Sequence, residues 1–134
     1  MSGRVVHFEM RVDDPERAIA FYSTVFGWQI TKWDSPLMEY WMVMTGAPGS
    51  KEAGINGGMM RREHRAPRHS AYGQNAFICT VEVPNFDETA QKILQQGGAV
   101  LTPKFALPGM GWQGDFVDCE GNQVGVHQKD PKAA

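Results

Sequence analysis

The sequence predicts an α+β fold built from two βαβββ modules, and three observations predict it. A stretch is written twice: Val12-Asp13-Asp14-Pro15 leads into Glu16–Phe26 and stops at Gly27, and Val83-Pro84-Asn85 leads into Phe86–Gln96 and stops at Gly97-Gly98. Each copy follows a strand pattern and precedes further strand patterns, and an internal repeat constrains the whole architecture. Helix and hairpins alternate with short connections, which argues for mixed, mostly antiparallel sheets over a doubly wound parallel one.

Each element has a local reason. Val5–Val12 alternates, with Val6, Phe8, Met10 and Val12 on one face and His7, Glu9 and Arg11 on the other, the period of a half-buried strand. The first helix follows Asp13-Asp14, with Pro15 at its first position, Glu16 in its first turn, and Gly27 placed to end it. Ala18, Phe21, Tyr22, Val25 and Phe26 recur at helical spacing and form its buried stripe. Trp28–Trp33 and Tyr40–Thr45 read as strands around the turn Asp34-Ser35-Pro36, and a loop over Ala47–Ala53 leads to a short strand near Ile55–Arg61.

The second half repeats the order: strand Ala76–Val83, helix Phe86–Gln96, strand Val100–Leu107, a turn at Pro108-Gly109-Met110-Gly111, then a hairpin of Trp112–Asp118 and Val124–Gln128 closed by Cys119-Glu120-Gly121-Asn122. The expected organisation is a single domain over 1–134, with module 1 at about 4–62, a linker at about 63–74 and module 2 at about 75–129. The linker is rich in Arg and His; His64 and His69 are more plausibly a solvated face than a metal pair.

At 134 residues and 42% hydrophobic the chain is the size of one ordinary domain, and a net charge of -2 gives no reason to expect a nucleic-acid or anionic-membrane partner. No apolar run approaches the ~18 residues of a membrane span, and Met1-Ser2-Gly3-Arg4 opens no signal peptide, so a cytoplasmic protein is expected. Cys79 and Cys119 fit no C-x-x-C spacing and read as free thiols.

Chemistry concentrates at a few positions. His7 and Glu9 share a strand face at roughly 6.5–7 Å between Cα atoms, so His7 would serve as an acid or base near neutrality and Glu9 as a proton acceptor. The competing reading has His7 bonding a backbone group and Glu9 pairing with an arginine. Trp41, Met60, Met110 and Trp112 would supply an apolar pocket, although most such residues are simply core, and Asn56, set among glycines, has backbone room for a ligand to approach.

With His7, Val12-Asp13-Asp14 through Ala18, Phe21-Tyr22, Phe26-Gly27, Gly97-Gly98 and Asp118-Cys119-Glu120-Gly121-Asn122 in view, the chain resembles the vicinal oxygen chelate superfamily of glyoxalase I, extradiol dioxygenases, and fosfomycin and bleomycin resistance proteins. Val6-His7-Phe8-Glu9, Gly54–Met60 and Pro108–Trp112 are similar to a subgroup described only as relatives of lactoylglutathione lyase. The resemblance implies an open cup of two βαβββ modules, a homodimer, and a small-molecule ligand. It also implies four metal donors: His7 matches the first, but the others fall on Asn56 or Gly57, near Ile78, and on Gly125.

Three of four places thus lack an imidazole, thiolate or carboxylate. No metal or other cofactor is expected; the alternative is one divalent ion held by His7, Glu9 and His127, the last of which otherwise lines the pocket. The expected function is binding of a small organic molecule with metal-independent proton transfer of lyase or isomerase type by His7 and Glu9. One alternative is a non-catalytic sequestering protein like the bleomycin resistance proteins, and another is a divalent-metal-dependent lyase or dioxygenase.

Overall fold

The computed structural model describes residues 4–62 and 77–134, and the chain divides into two compact units, Met1–Ala66 and Pro67–Ala134. The linker expected at about 63–74, with His64 and His69, lies outside the described residues. The first unit runs β1 (Phe8–Val12), α1 (Pro15–Phe26), β2 (Gln29–Lys32), β3 (Trp41–Met44) and β4 (Gly57–Arg61). The second runs β5 (Cys79–Glu82), α2 (Phe86–Gln95), β6 (Ala99–Leu107), β7 (Gly111–Val117) and β8 (Gln123–Lys129). The βαβββ order expected of each half is present, and the fold class is α+β with two open, mixed four-stranded sheets.

In the first unit the strand order is β1-β4-β3-β2, so the first strand lies beside the last and parallel to it, from Phe8 opposite Gly57 to Val12 opposite Arg61. β4 pairs with β3 and β3 with β2, both antiparallel. β1 starts later than its alternating pattern suggested: Val5 and Val6 are exposed and outside the strand, because the β4 ladder begins at Gly57 and a strand ends where its hydrogen-bonding partner does.

The helix behaves as its ends dictate. Asp14 caps α1 by accepting from the Arg17 N–H, and Gly27 closes it in the left-handed conformation at φ 75. Its stripe of Ala18, Phe21, Tyr22 and Val25 is buried with Val12, Val43 and Met59, and Tyr22 stacks on Trp28 with ring centroids 4.8 Å apart. Trp28 therefore closes the helix end over the sheet and does not begin β2.

The second unit repeats the plan with order β5-β8-β7-β6, β5 parallel to β8 and the rest antiparallel. Asn85 caps α2 through the Glu88 N–H. The helix buries Phe86 and Ile93, with Phe86 against Phe116, in a core shared with Val124 and Val126. Two features escaped the sequence patterns. The tail after β8 folds back, with the Trp112 indole donating to Asp130 at 3.1 Å, the Gly109 N–H to the Ala133 carbonyl at 3.0 Å, and Ala133 buried. Asp118 and Glu120 are completely buried beside the β7–β8 turn. Among the described residues no helix is long and apolar enough to cross a membrane.

That turn is held from inside. The Asp118 carboxylate accepts from the backbone N–H of Glu120 and of Asn122, each at 2.8 Å. Hydrogen bonds to a charged acceptor contribute about 1.5–3 kcal/mol each, and a buried donor left alone costs its desolvation. Asp118→Ala is expected to lower stability by about 2–4 kcal/mol in denaturant unfolding, and Asp118→Asn, which keeps an acceptor oxygen, by less than half of that.

Candidate functional site

The two faces of the first sheet differ in kind. Phe8, Met10 and Val12 on β1, Met59 on β4, and Trp41 and Val43 on β3 share the face packed on α1. The alternate residues, Glu9 and Arg11, Gly58 and Met60, Met42 and Met44, face the other way. Tyr40 continues β3 on that second face, its carbonyl accepting the Trp33 N–H at 2.7 Å.

Three polar side chains meet there. The Tyr40 hydroxyl lies 3.1 Å from Glu9 Oε2, to which it donates, and 3.2 Å from His7 Nε2. His7 Nε2 and Glu9 Oε2 are 3.7 Å apart, and both side chains are about half exposed, so their direct ion pair adds little. Tyr40 links them. Gly58 makes the arrangement possible, since a Cβ at this position would overlap the Tyr40 hydroxyl and stand 2.6 Å from Glu9 Oε2. The Tyr40 phenol is pushed above its ordinary value, first by removal from water and then by the negative charge and hydrogen bond of Glu9. It therefore stays protonated and remains a donor across the neutral range.

Beside the trio, Trp33, Met38, Tyr40 and Met42 line an apolar hollow of about 250 Å³. Trp33 meets the Tyr40 ring edge to face at 6.2 Å, and Met38 and Met42 are each 42% exposed. Large apolar side chains left in water beside a polar cluster are what a small organic ligand would cover.

The structure brings His7 and Glu9 together and adds Tyr40, Trp33, Met38 and Met42, which sequence reasoning missed. Met60 lies on the same face. Trp41 lies on the opposite one, 6% exposed, under Lys32 and Arg61 at 5.6 and 5.8 Å from its ring centroid. The parity of β3 was the signal for this: a strand that buries Trp41 and Val43 presents Tyr40 and Met42. Asn56 is engaged before β4, its Oδ1 accepting from the Thr45 N–H at 2.9 Å.

In the second unit Met110 is exposed on the β6–β7 turn. Trp112 lies with Phe86 beside Lys104, whose Nζ is 4.7 Å from the Trp112 ring centroid. His127 lies on the other face of its sheet, its Nδ1 3.0 Å from Gln113 Oε1. Because that oxygen can only accept, the proton sits on Nδ1. Cys79 and Cys119 are free thiols, the first exposed and the second buried.

Residues 4–46, which carry β1, α1, β2 and β3, match the family model described as bleomycin resistance protein-like N-terminal. A glyoxylase/bleomycin resistance protein/dioxygenase domain from Frankia sp. EAN1pec superposes with a TM-score of 0.70 at 16% identity, covering 97% of this chain and 100% of that one. The fold is that of the vicinal oxygen chelate superfamily. Fosfomycin resistance protein FosX from Listeria monocytogenes gives 0.69 at 16% identity over 97% of this chain and 96% of its own. A mutant of FosX complexed with Mn(II) and 1S,2S-dihydroxypropylphosphonic acid gives 0.65 at 18% over 95% and 90%. No curated protein matches the chain. The resemblance read from the sequence is borne out at the level of the fold.

The vicinal oxygen chelate fold raises the question of a metal, and the described residues at the four expected positions do not fit one. Asn56 is bound to Thr45, a side chain at Gly57 would overlap the Phe8 carbonyl, and Ile78 and Gly125 carry no donor. Of the shifted set, His7 and Glu9 meet Tyr40 within the first unit, and His127 meets Gln113 within the second. Among the described residues no group of three or more His, Cys, Asp or Glu side chains is placed to hold an ion, whereas a divalent site needs about three or four such ligands.

The Tyr40 environment has a measurable signature. A phenol raised in the folded state holds its proton where the unfolded chain has lost it, so the stability tied to it is fully present below the ordinary tyrosine value of 10.0 and declines as pH climbs through the raised value. Ultraviolet titration is expected to find one phenol ionising above that ordinary value, absent in Tyr40→Phe. In Gly58→Ala and Glu9→Gln it should return toward the ordinary value with the fold retained.

Proposed function

We propose that the chain binds a small organic molecule on the face of the first sheet away from α1 and moves a proton on it without a resident metal. The observation that carries this reading is the Tyr40 hydroxyl within hydrogen-bond distance of both Glu9 and His7, at the edge of the Trp33–Met38–Met42 hollow. The apolar body of the ligand would rest against the hollow, and its carbonyl or enol end would meet the trio.

The chemistry follows from what each group can give. Glu9 accepts the proton from the carbon next to a carbonyl. Tyr40, no longer donating to the neutralised Glu9, turns its hydroxyl toward the oxygen on which charge develops. His7 orients Tyr40 and takes up or returns a proton as the product leaves. A lyase or isomerase acting on a neutral carbonyl compound fits this division.

The FosX neighbour is complexed with Mn(II), but the donors here argue against the corresponding metal-dependent lyase or dioxygenase. A second reading, a sequestering protein without turnover, is favoured by the half-exposed Trp33, Met38 and Met42, which would hold an apolar ligand with no help from the trio. Cytoplasmic residence belongs to the same proposal.

The two readings separate in deuterated buffer with 1-phenyl-2-propanone as probe, carbon-bound hydrogen exchange being followed by NMR and binding by tryptophan fluorescence. Catalysis is expected to fall about 10²–10⁴-fold in Glu9→Gln while binding is kept. Fluorescence quenching without exchange, lost in Met42→Ala and indifferent to Glu9, would establish the sequestering protein instead. We also propose a homodimer: β1 and β2, β5 and β6 are the outer strands of their sheets, and outer strands invite pairing. Light scattering should read twice the chain mass; the mass of one chain at all concentrations would refute it.

A further inference from the structure

The apolar hollow beside the trio is walled by two thioethers within reach of solvent. Met38 and Met42 line it with Trp33 and Tyr40, and each is 42% exposed. The other methionines among the described residues differ: Met59 is fully buried, Met10, Met44 and Met60 are partly covered, and Met110, more open at 64%, lies on the β6–β7 turn of the second unit. Met42 is also the register partner of Gly58, the glycine over which the Tyr40 hydroxyl lies. Its side chain therefore leaves the sheet beside the hydroxyl that Glu9 and His7 share.

An apolar wall does not require sulfur, since leucine fills a similar volume. What methionine adds is a polarisable thioether that peroxides attack wherever it is exposed, and the product is a polar sulfoxide. The sulfur attacks one peroxide oxygen, the O–O bond breaks, and that oxygen stays on sulfur while the other leaves as water or an alcohol. Sulfur is oxidised by two electrons and the peroxide is reduced by the same two.

We propose that Met38 and Met42 form a peroxide-sensitive modification site, whose conversion to sulfoxides reversibly closes the hollow to apolar ligands; this rests on the reading that the face binds a small organic molecule. A sulfoxide there opposes binding by either of two routes. If its oxygen stays unbonded beneath a ligand, the loss of its water is uncompensated. If it accepts from the Tyr40 hydroxyl instead, Glu9 loses that donor, because a phenol has one proton to give. Met59, Val12 and Val43 hold the sheet to α1 from the opposite face and stay out of reach, so the fold outlasts the site. Reversal falls to thiol-dependent sulfoxide reductases, which release the oxygen as water while their thiols join in a disulfide.

The test uses the full chain carrying Cys79→Ser, so that the exposed thiol takes no part, with hydrogen peroxide as oxidant and 1-phenyl-2-propanone as ligand, followed by tryptophan fluorescence. Peptide mass spectrometry is expected to find oxygen on Met38, Met42 and Met110 before Met10, Met44, Met59 or Met60. Affinity for the ketone should then fall about tenfold or more with the circular dichroism unchanged. Sulfoxide reductases for both sulfur epimers, with dithiothreitol, should restore it. Met110→Leu should lose affinity on treatment in the same way, whereas Met38→Leu/Met42→Leu, whatever its starting affinity, should give the same value before and after. Affinity kept once both sulfoxides have formed, affinity lost equally in the double variant, or loss of the fold along with affinity would overturn the proposal and leave the binding reading standing. An untreated chain that does not bind the ketone would overturn the binding reading and the proposal together.

Discussion

Everything on the polar face of the first sheet depends on the parallel register between β1 and β4. That pairing sets Glu9 directly beside Gly58, and the antiparallel pairing of β4 with β3 sets Met42 on the other side of the same glycine. A slip of one residue would carry Glu9 to the helix-covered face and expose Met10 in its place. The register is protected by the opposite face, where Val12, Met59 and Val43 are fully buried against α1. The core thus holds the site in place without contributing an atom to it.

Glycine does the complementary work, through space more than through flexibility. At Gly58 the missing side chain lets the Tyr40 hydroxyl settle between Glu9 and His7, so an aromatic residue just before β3 bridges one polar residue on β1 and one just before it. At Gly125 it lets Thr80, Asp115 and Gln113 approach one another across three strands. Glu9 and Thr80 are related by the same 71-residue offset that relates Val12 to Val83. The repeat has therefore kept its backbone plan, a first strand beside a glycine of the last, while its polar residues have diverged.

Electrostatics gives the two glycine sites different characters. Around Gly58 the groups are already joined, and removal from water, with the Glu9 charge and hydrogen bond behind it, holds the Tyr40 phenol above its ordinary value. A donor and an acceptor thus stand side by side, with an apolar hollow alongside. Around Gly125 the Thr80 hydroxyl and the Asp115 carboxylate crowd the glycine without a hydrogen bond between them. Neither set has the ligand count of a divalent site, although the fold is shared with proteins whose structures contain Mn(II). Such a fold hosts many functions, and the side chains at the site decide among them.

The sequence by itself determined the element order and the faces of the helices. Asp14 and Asn85 as caps, Gly27 as a stop, and the spacing of Phe21, Tyr22 and Val25 are local signals that act within a turn or two of backbone. It also marked His7 and Glu9, because alternation puts them on one face whatever their strand pairs with. Tyr40 was not legible, since its meaning depends on which residue of β4 lies next to β3, and pairing between distant strands leaves no local trace. Trp41 drew attention by its size, yet the parity of β3 turns it toward the core. The same holds for Gly125 and for the tail that carries Asp130 to Trp112: a glycine in a strand and a short polar tail look ordinary until tertiary packing supplies the neighbours. Only long-range register could decide which side chains meet.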